Sequence, residues 1–200
     1  MNKIQTLPEY QELASRTCPD LGKNKNNRHM NLGVITEIGE ALDIFKKYLA
    51  YERPKDLVNL GEELVDTAWY ISNAARFQLI PLDDFPEALK DVEEFINTKM
   101  FTESNLELEI RAEAVLVTIL SMYCSDKHHP FFRAPVVQIA ALHVVAGWYG
   151  LDFFQCLTNN IEKLKVRYPD KFTNEAAQNR NLEAEREKLE VTGNGDGDND

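Results

Sequence analysis

Apolar residues recur along this chain with helical spacing almost throughout. Over 32–49, Ile35, Ile38, Leu42, Phe45 and Leu49 fall on one face of a 3.6-residue turn. Pro54-Lys55-Asp56 predicts the start of a second helix, striped by Leu57, Leu60, Leu64 and Ile71. Pro81-Leu82-Asp83-Asp84 opens a third, running to about Met100. Further helices fit 106–122, 135–149, 151–168 and 174–189. No convincing stretch alternates as a half-buried strand does, so the expected fold class is all-α.

Two acidic pairs border the first two stripes: Glu37-Ile38-Gly39-Glu40 and Glu63-Leu64-Val65-Asp66. Residues three apart share a helix face. Lys47 continues the flank of the first pair, and Tyr70 and Asn73 that of the second. Glu62 points about 100° away from Glu63 and is the poorer ligand candidate. One such pair reads as a solvated helix flank. Two pairs with the same spacing on neighbouring helices read better as a metal site. Crowded carboxylates repel and need a cation, and an all-oxygen donor set suits Mg2+. Gly39 and Gly61 each cost about 1 kcal/mol in a helix interior relative to alanine. A close helix approach or a ligand would explain them; so would mere tolerance. Asn160, Lys163 and Arg167 share a face of a later helix, where Lys163 and Arg167 repel unless an anion lies between them. Cations at a helix C-terminus also complement its dipole, which alone would account for Arg167.

Composition narrows the classes. The chain is 44% hydrophobic, enough for an ordinary core. The net charge of -11 opposes nucleic-acid binding, so no nucleic-acid partner is expected, and a polyanionic substrate needs metal or a local basic patch. Gly, Asn and Asp alone fill 193–200, and 191–200 is expected to be a disordered acidic tail. Cys18, Cys124 and Cys156 have neither zinc nor disulfide spacing and read as buried or inert thiols. With no signal-like apolar core and no run approaching a membrane span, a cytoplasmic location and no membrane partner are expected. Asp126, His128 and His129 read as a polar loop rather than a phosphohydrolase motif. His143 reads as a core or interface histidine, and Phe131, Phe132 and Trp148 as buried aromatics.

A weak repeat is present. Leu82-Asp83-Asp84-Phe85 is echoed by Leu151-Asp152-Phe153-Phe154, and Gly39-Glu40-Ala41-Leu42 by Ala112-Glu113-Ala114-Val115. Chance similarity between helices competes with duplication as the explanation.

These residues resemble a known family. Glu37-x-x-Glu40 followed by Glu63-x-x-Asp66 is similar to the MazG-type all-α nucleoside triphosphate pyrophosphohydrolases, a superfamily that includes dimeric dUTPases and dCTP pyrophosphatases. Glu9-Tyr10-Gln11-Glu12-Leu13-Ala14 resembles its opening helix. The string from Asn160 to Phe172, then Asn179-Arg180 and 183–190, resembles its closing region. The resemblance implies a MazG-like helical bundle, commonly a homo-oligomer, from a bacterium or phage. It implies Mg2+, with Mn2+ as a substitute, held by Glu37, Glu40, Glu63 and Asp66. It implies hydrolysis between the α and β phosphates of a nucleoside triphosphate, giving a monophosphate and pyrophosphate, with one glutamate activating the water. Lys47, Asn160, Lys163 and Arg167 become candidate phosphate or sugar contacts, and His29, Trp69 and Tyr70 candidates near the base. The chain departs from the family pattern over about 81–155, where a short connection is usual. That departure suggests a degenerate internal duplication, with 1–99 carrying the metal ligands and 100–190 the closing basic helix: a pseudo-dimer in one chain. Asp91 and Glu94 then replace Asn160 and Lys163 in the first half, and Phe132 and Pro135 replace Glu63 and Asp66 in the second. The alternative is a non-catalytic nucleotide-binding or helical interaction module.

Overall fold

The computed structural model describes residues 1–101, 106–124 and 130–190. All its regular elements are helical, as the periodicity predicts. Asp126, His128, His129 and the acidic tail lie outside the described residues.

Helix α1 spans Leu7–Ser15 and is capped by Thr6, whose hydroxyl accepts from the Glu9 N–H at 3.3 Å. Helix α2, Lys23–Tyr51, begins well before the predicted residue 32. The polar run at its start has no apolar period, but side chains close the turn. Asp20 accepts from the Gly22 N–H at 3.0 Å and from buried Asn26 at 3.1 Å, and Asn26 accepts from the Leu21 N–H at 2.8 Å. At its far end α2 runs past the core, which leaves Leu49 82% exposed, against its predicted place in the stripe.

Helix α3, Leu57–Phe77, starts where predicted, with Asp56 accepting from the Asn59 N–H at 3.0 Å. It returns along α2. Gly33 faces Tyr70 while Glu37 and Glu63 share a hydrogen bond, so the two helices are antiparallel. Leu60, Leu64 and Ile71 are fully buried.

Helix α4 (Phe85–Phe95) ends in a π-turn at Ile96–Met100. Next come α5 (Leu108–Cys124), a short 3-10 turn at Pro130–Arg133, α6 (Pro135–Trp148) and α7 (Phe153–Arg167). The predicted 174–189 helix is in fact two, α8 (Asn174–Gln178) and α9 (Leu182–Leu189). Asn181 breaks it by accepting from the Ala184 N–H at 3.1 Å, which caps α9.

Helix α3 is the hub: α1, α2, α6 and α7 all pack on it. Helix α5 lies against α2, α4 against α6, and α9 against α7. One continuous apolar core runs through α1 to α7, from Ile4 to Tyr168. Helices α3 and α6 end alike. The Ile80 N–H reaches back to the Ala75 carbonyl at 2.9 Å, and the Leu151 N–H to the Ala146 carbonyl at 3.0 Å. Each bond spans a left-handed residue, Leu79 (φ 57°) or Gly150 (φ 70°), the signature of a Schellman turn. The helix after each turn then crosses over: α4 packs on α6, and α7 on α3.

Phe132 is fully buried; Phe131 stacks on Phe95, and Trp148 is partly buried beneath the Arg111 guanidinium. His143 is a core histidine, edge-on to Phe85 and Phe153, and burial lowers its pKa. Of the three cysteines read as buried or inert thiols, Cys156 is buried, Cys18 half-buried and Cys124 exposed at the end of α5. Among the described residues no single helix is long and apolar enough to cross a membrane.

Candidate functional site

Helices α2 and α3 bring the two acidic pairs together. Carboxylate oxygens of Glu37, Glu63 and Asp66 lie within 4.8 Å of one another. Two opposite ligands of Mg2+ sit about 4.2 Å apart, so small side-chain rotations suffice to close the three on one ion. Glu40 stands outside this trio but lines the same cavity, of about 420 Å³. An all-carboxylate set with no sulfur or imidazole fits a hard cation.

The charges in this cluster are under strain. Burial, then repulsion from Asp66, Glu37, Glu40 and Glu62, raises the Glu63 pKa to about 9. Burial and repulsion from Asp66 raise Glu37 to about 7, although its hydrogen bond to Glu63 pulls the other way. A cation would reverse both effects.

The other wall is α7. Lys163 is 1% exposed and donates to Asp66 at 2.6 Å and to Glu62 at 3.0 Å. Burial opposes its charge, yet Asp66 and Glu62 outweigh that and raise its pKa. Asn160, fully buried, donates to the other oxygen of Asp66. Behind it the Tyr10 hydroxyl shares its one hydrogen between the Asn160 side-chain oxygen, at 3.1 Å, and the Val65 carbonyl, at 3.2 Å. That hydroxyl ties α1, α3 and α7 together directly beneath Asp66.

Arg167 and Arg180 line the same cavity, and both pair with Glu185, which is 2% exposed. His29, Trp69 and Tyr70 also line the cavity, with Tyr168 and Phe172. Tyr70 sits edge-on to both His29 and Trp69, and the Trp69 indole donates to Thr17 at 3.1 Å. Burial, then the nearby Glu37 and Asp66 charges, raise the Tyr70 pKa.

The structure thus places Glu37, Glu40, Glu63, Asp66, Lys163, Arg167, His29, Trp69 and Tyr70 around one cavity. Asn160 is there indirectly, through Asp66. Lys47 is not: it is exposed and pairs with Asp43 at 2.6 Å. It shares the flank of Glu40, but two helical turns place it about 10 Å further along. Glu62 is not part of the carboxylate trio, yet it lines the cavity and shares Lys163 with Asp66.

Gly39 has no neighbour within 4 Å of a would-be Cβ, so no close approach explains it. Gly61 abuts the Cys156 sulfur, 3.2 Å from a would-be Cβ. The glycine that matters most is Gly33, where a Cβ would fall 2.2 Å from the Tyr70 ring. Sequence reasoning missed Gly33, Tyr10, Arg180 and Glu185. The last three lie inside the strings that carry the family resemblance, which was their only signal. A second cavity of about 420 Å³ lies beyond Glu62 and is mainly aliphatic, with Leu57, Val65 and Leu151 in its wall and no convergence of charge.

Comparisons of the chain with protein-family models, with curated proteins and with solved structures give no match.

Proposed function

We propose that this chain is a MazG-like pyrophosphohydrolase: it cleaves a nucleoside triphosphate between the α and β phosphates, with Mg2+, to a monophosphate and pyrophosphate. One observation carries the reading. Glu37, Glu63 and Asp66 converge within 4.8 Å in a cavity that Arg167 and Arg180 also line. Acidic and basic side chains lining one cavity suit a metal-bound polyphosphate. When bound, Mg2+ neutralises phosphate charge and lowers the pKa of a water ligand.

The chain's own residues do the rest. Lys163 and Asn160 fix both oxygens of Asp66, so its orientation is set before any ligand arrives. Glu40, outside the converging trio, is the carboxylate left to take a proton from the attacking water. Trp69, Tyr70 and His29 give the base an aromatic wall. The test is a panel of nucleoside triphosphates with Mg2+, assayed for pyrophosphate. Release by the wild type, lost in Glu63→Gln and Asp66→Asn with helicity intact, supports the assignment. Full activity in both variants defeats it.

We further read the chain as two decayed halves, 1–99 and 100–190, sharing one composite site. The matching Schellman turns after α3 and α6, and the exchange of α4 and α7 between hairpins, support this. Aligning the two turns, Ile80 with Leu151, sets Ala134 and Val137 rather than Phe132 and Pro135 opposite Glu63 and Asp66, so the second half brings no metal pair of its own. Titration with a non-hydrolysable triphosphate should then give one site per chain; two equivalent sites would refute it.

One observation favours the non-catalytic reading. The Lys163 ammonium already sits on Asp66 and Glu62, where it partly does a metal ion's work. On that reading the cluster is a self-neutralised structural element, and divalent ions neither bind nor raise thermal stability.

A further inference from the structure

The second cavity, beyond Glu62, has a wall chemistry that selects its own occupant. Its volume of about 420 Å³ lies within the range of ligand pockets and far above the packing voids of a protein interior. It forms where the start of α3, the α6–α7 turn and the end of α9 meet, walled by Leu57, Val58, Val65, Leu151 and Leu189. Gly61 lines it too: a Cβ there would project among the wall side chains, 3.2 Å from the Cys156 sulfur and 3.6 Å from Leu151. Among the described residues, the charged side chains in this lining are Glu62 and Asp152, both acidic. Asp152 is committed, since Oδ1 accepts from the Gln155 N–H at 3.0 Å and Oδ2 from Lys3. The Gln155 side-chain amide donates to Asn159 at 2.8 Å. Glu62 differs. It lines both cavities; its Oε1 accepts from Lys163 at 3.0 Å, and no described residue donates to its Oε2.

We propose that this cavity binds a small apolar molecule carrying a protonated amine, with the ammonium on Glu62 and the carbon body against the aliphatic wall, and that its occupancy weakens divalent-ion binding in the neighbouring cavity. An ammonium supplies donors to a carboxylate with acceptor capacity left, and such a charge-assisted bond is stronger than a neutral one. A carboxylate ligand would meet two acidic side chains and no cation in the described lining. A neutral molecule would gain the aliphatic wall but no charge-assisted bond to Glu62. The coupling runs through Lys163, which Glu62 and Asp66 share at 3.0 and 2.6 Å. A second cation on Glu62 weakens its hold on Lys163, and the Lys163 ammonium then stays on Asp66, where it competes with a metal ion. Direct repulsion between the bound ammonium and the ion has the same sign. By linkage the ion weakens the amine by the same factor. The coupling, unlike the binding, rests on the metal-centre reading of Glu37, Glu63 and Asp66.

The test is calorimetric titration of hexylammonium into the full chain, first in chelator and then with Mn2+. Hexylammonium should bind at a single site, about tenfold tighter than butylammonium, since each buried methylene adds roughly fourfold. Hexanol should bind about tenfold more weakly, and hexanoate not at all. Val58→Phe, which fills the cavity, should weaken hexylammonium by about tenfold or more and leave Mn2+ affinity without amine within about twofold. Glu62→Gln should weaken hexylammonium by about tenfold and hexanol by less than about twofold. Saturating hexylammonium should lower the wild-type Mn2+ affinity by about fivefold. No hexylammonium binding by the wild type, or wild-type affinity in both variants, overturns the site. Hexanol binding as tightly as hexylammonium overturns the preference for an amine. An Mn2+ affinity that hexylammonium leaves unchanged overturns the coupling. No Mn2+ binding by the wild type without amine overturns the metal-centre reading instead, while hexylammonium binding in chelator still supports the cavity site.

Discussion

Replacing Glu63 with glutamine should stabilise the metal-free protein while destroying its cation site. Glu63 is 5% exposed, and burial with its acidic neighbours lifts its pKa from 4.5 to about 9. A carboxyl whose folded pKa is raised favours folding fully below about pH 4.5 and loses that contribution as pH climbs toward 9. At pH 7 the folded side chain is protonated and the unfolded one ionised. Each unit between 4.5 and 7 costs about 1.4 kcal/mol, so wild type loses on the order of 3 kcal/mol relative to glutamine. Glutamine keeps the side chain's shape and an N–H to donate to Glu37. For a chain this long the gain corresponds to a Tm rise of about 5–10 °C. Thermal unfolding at pH 7 in chelator, then in millimolar Mn2+, measures both effects. Mn2+ should raise the wild-type Tm and leave Glu63→Gln unmoved. A metal-free Glu63→Gln protein less stable than wild type would refute the claim that these carboxylates repel one another.

Other variants probe the framework. Gly33→Ala forces a methyl against the Tyr70 ring and should destabilise by about 1–3 kcal/mol, whereas Gly39→Ala, with open space, should stabilise by up to about 1 kcal/mol; denaturant melts compare them. Leu79→Gly should raise stability by about 0.5–1 kcal/mol in the same assay, since Leu79 holds a left-handed conformation with its side chain 90% exposed. Divalent-ion binding at pH 8 should release close to one proton, because Glu63 (pKa about 9) is then mostly protonated and Glu37 (about 7) mostly ionised; affinity should climb between pH 6 and 9. Calorimetry in buffers of different ionisation enthalpy reads this directly, and a buffer-independent heat with pH-independent affinity counts against it.

Helical periodicity carried both the fold class and the acidic cluster, for one reason. Glu37, Glu40, Glu63 and Asp66 border apolar stripes, so the packing that buries Ile38 and Leu64 also brings Glu37, Glu63 and Asp66 together and leaves Glu40 in the same cavity. The same logic placed Lys163 and Arg167 at the cavity, because they flank the buried face of α7. Features that depend on which turn meets which were not readable. The Gly33–Tyr70 contact needs the register of the α2–α3 hairpin. The pairing of Lys163 with Glu62 needs the crossing of α7 over α3. Lys47 shows the converse: a shared flank fixes direction around a helix but not position along it. Polar side chains that bond local backbone set the start of α2 and the α8–α9 break, and hydrophobic spacing does not report them.

The convergence of carboxylates on a divalent ion is tested most directly by Mn2+ titration followed by electron paramagnetic resonance, with and without a triphosphate analogue that resists cleavage. Wild type should deplete the free Mn2+ signal, more strongly with the analogue present, and Asp66→Asn should leave it intact. Equal depletion by Asp66→Asn, or none by the wild type under either condition, would contradict a metal centre at Glu37, Glu63 and Asp66.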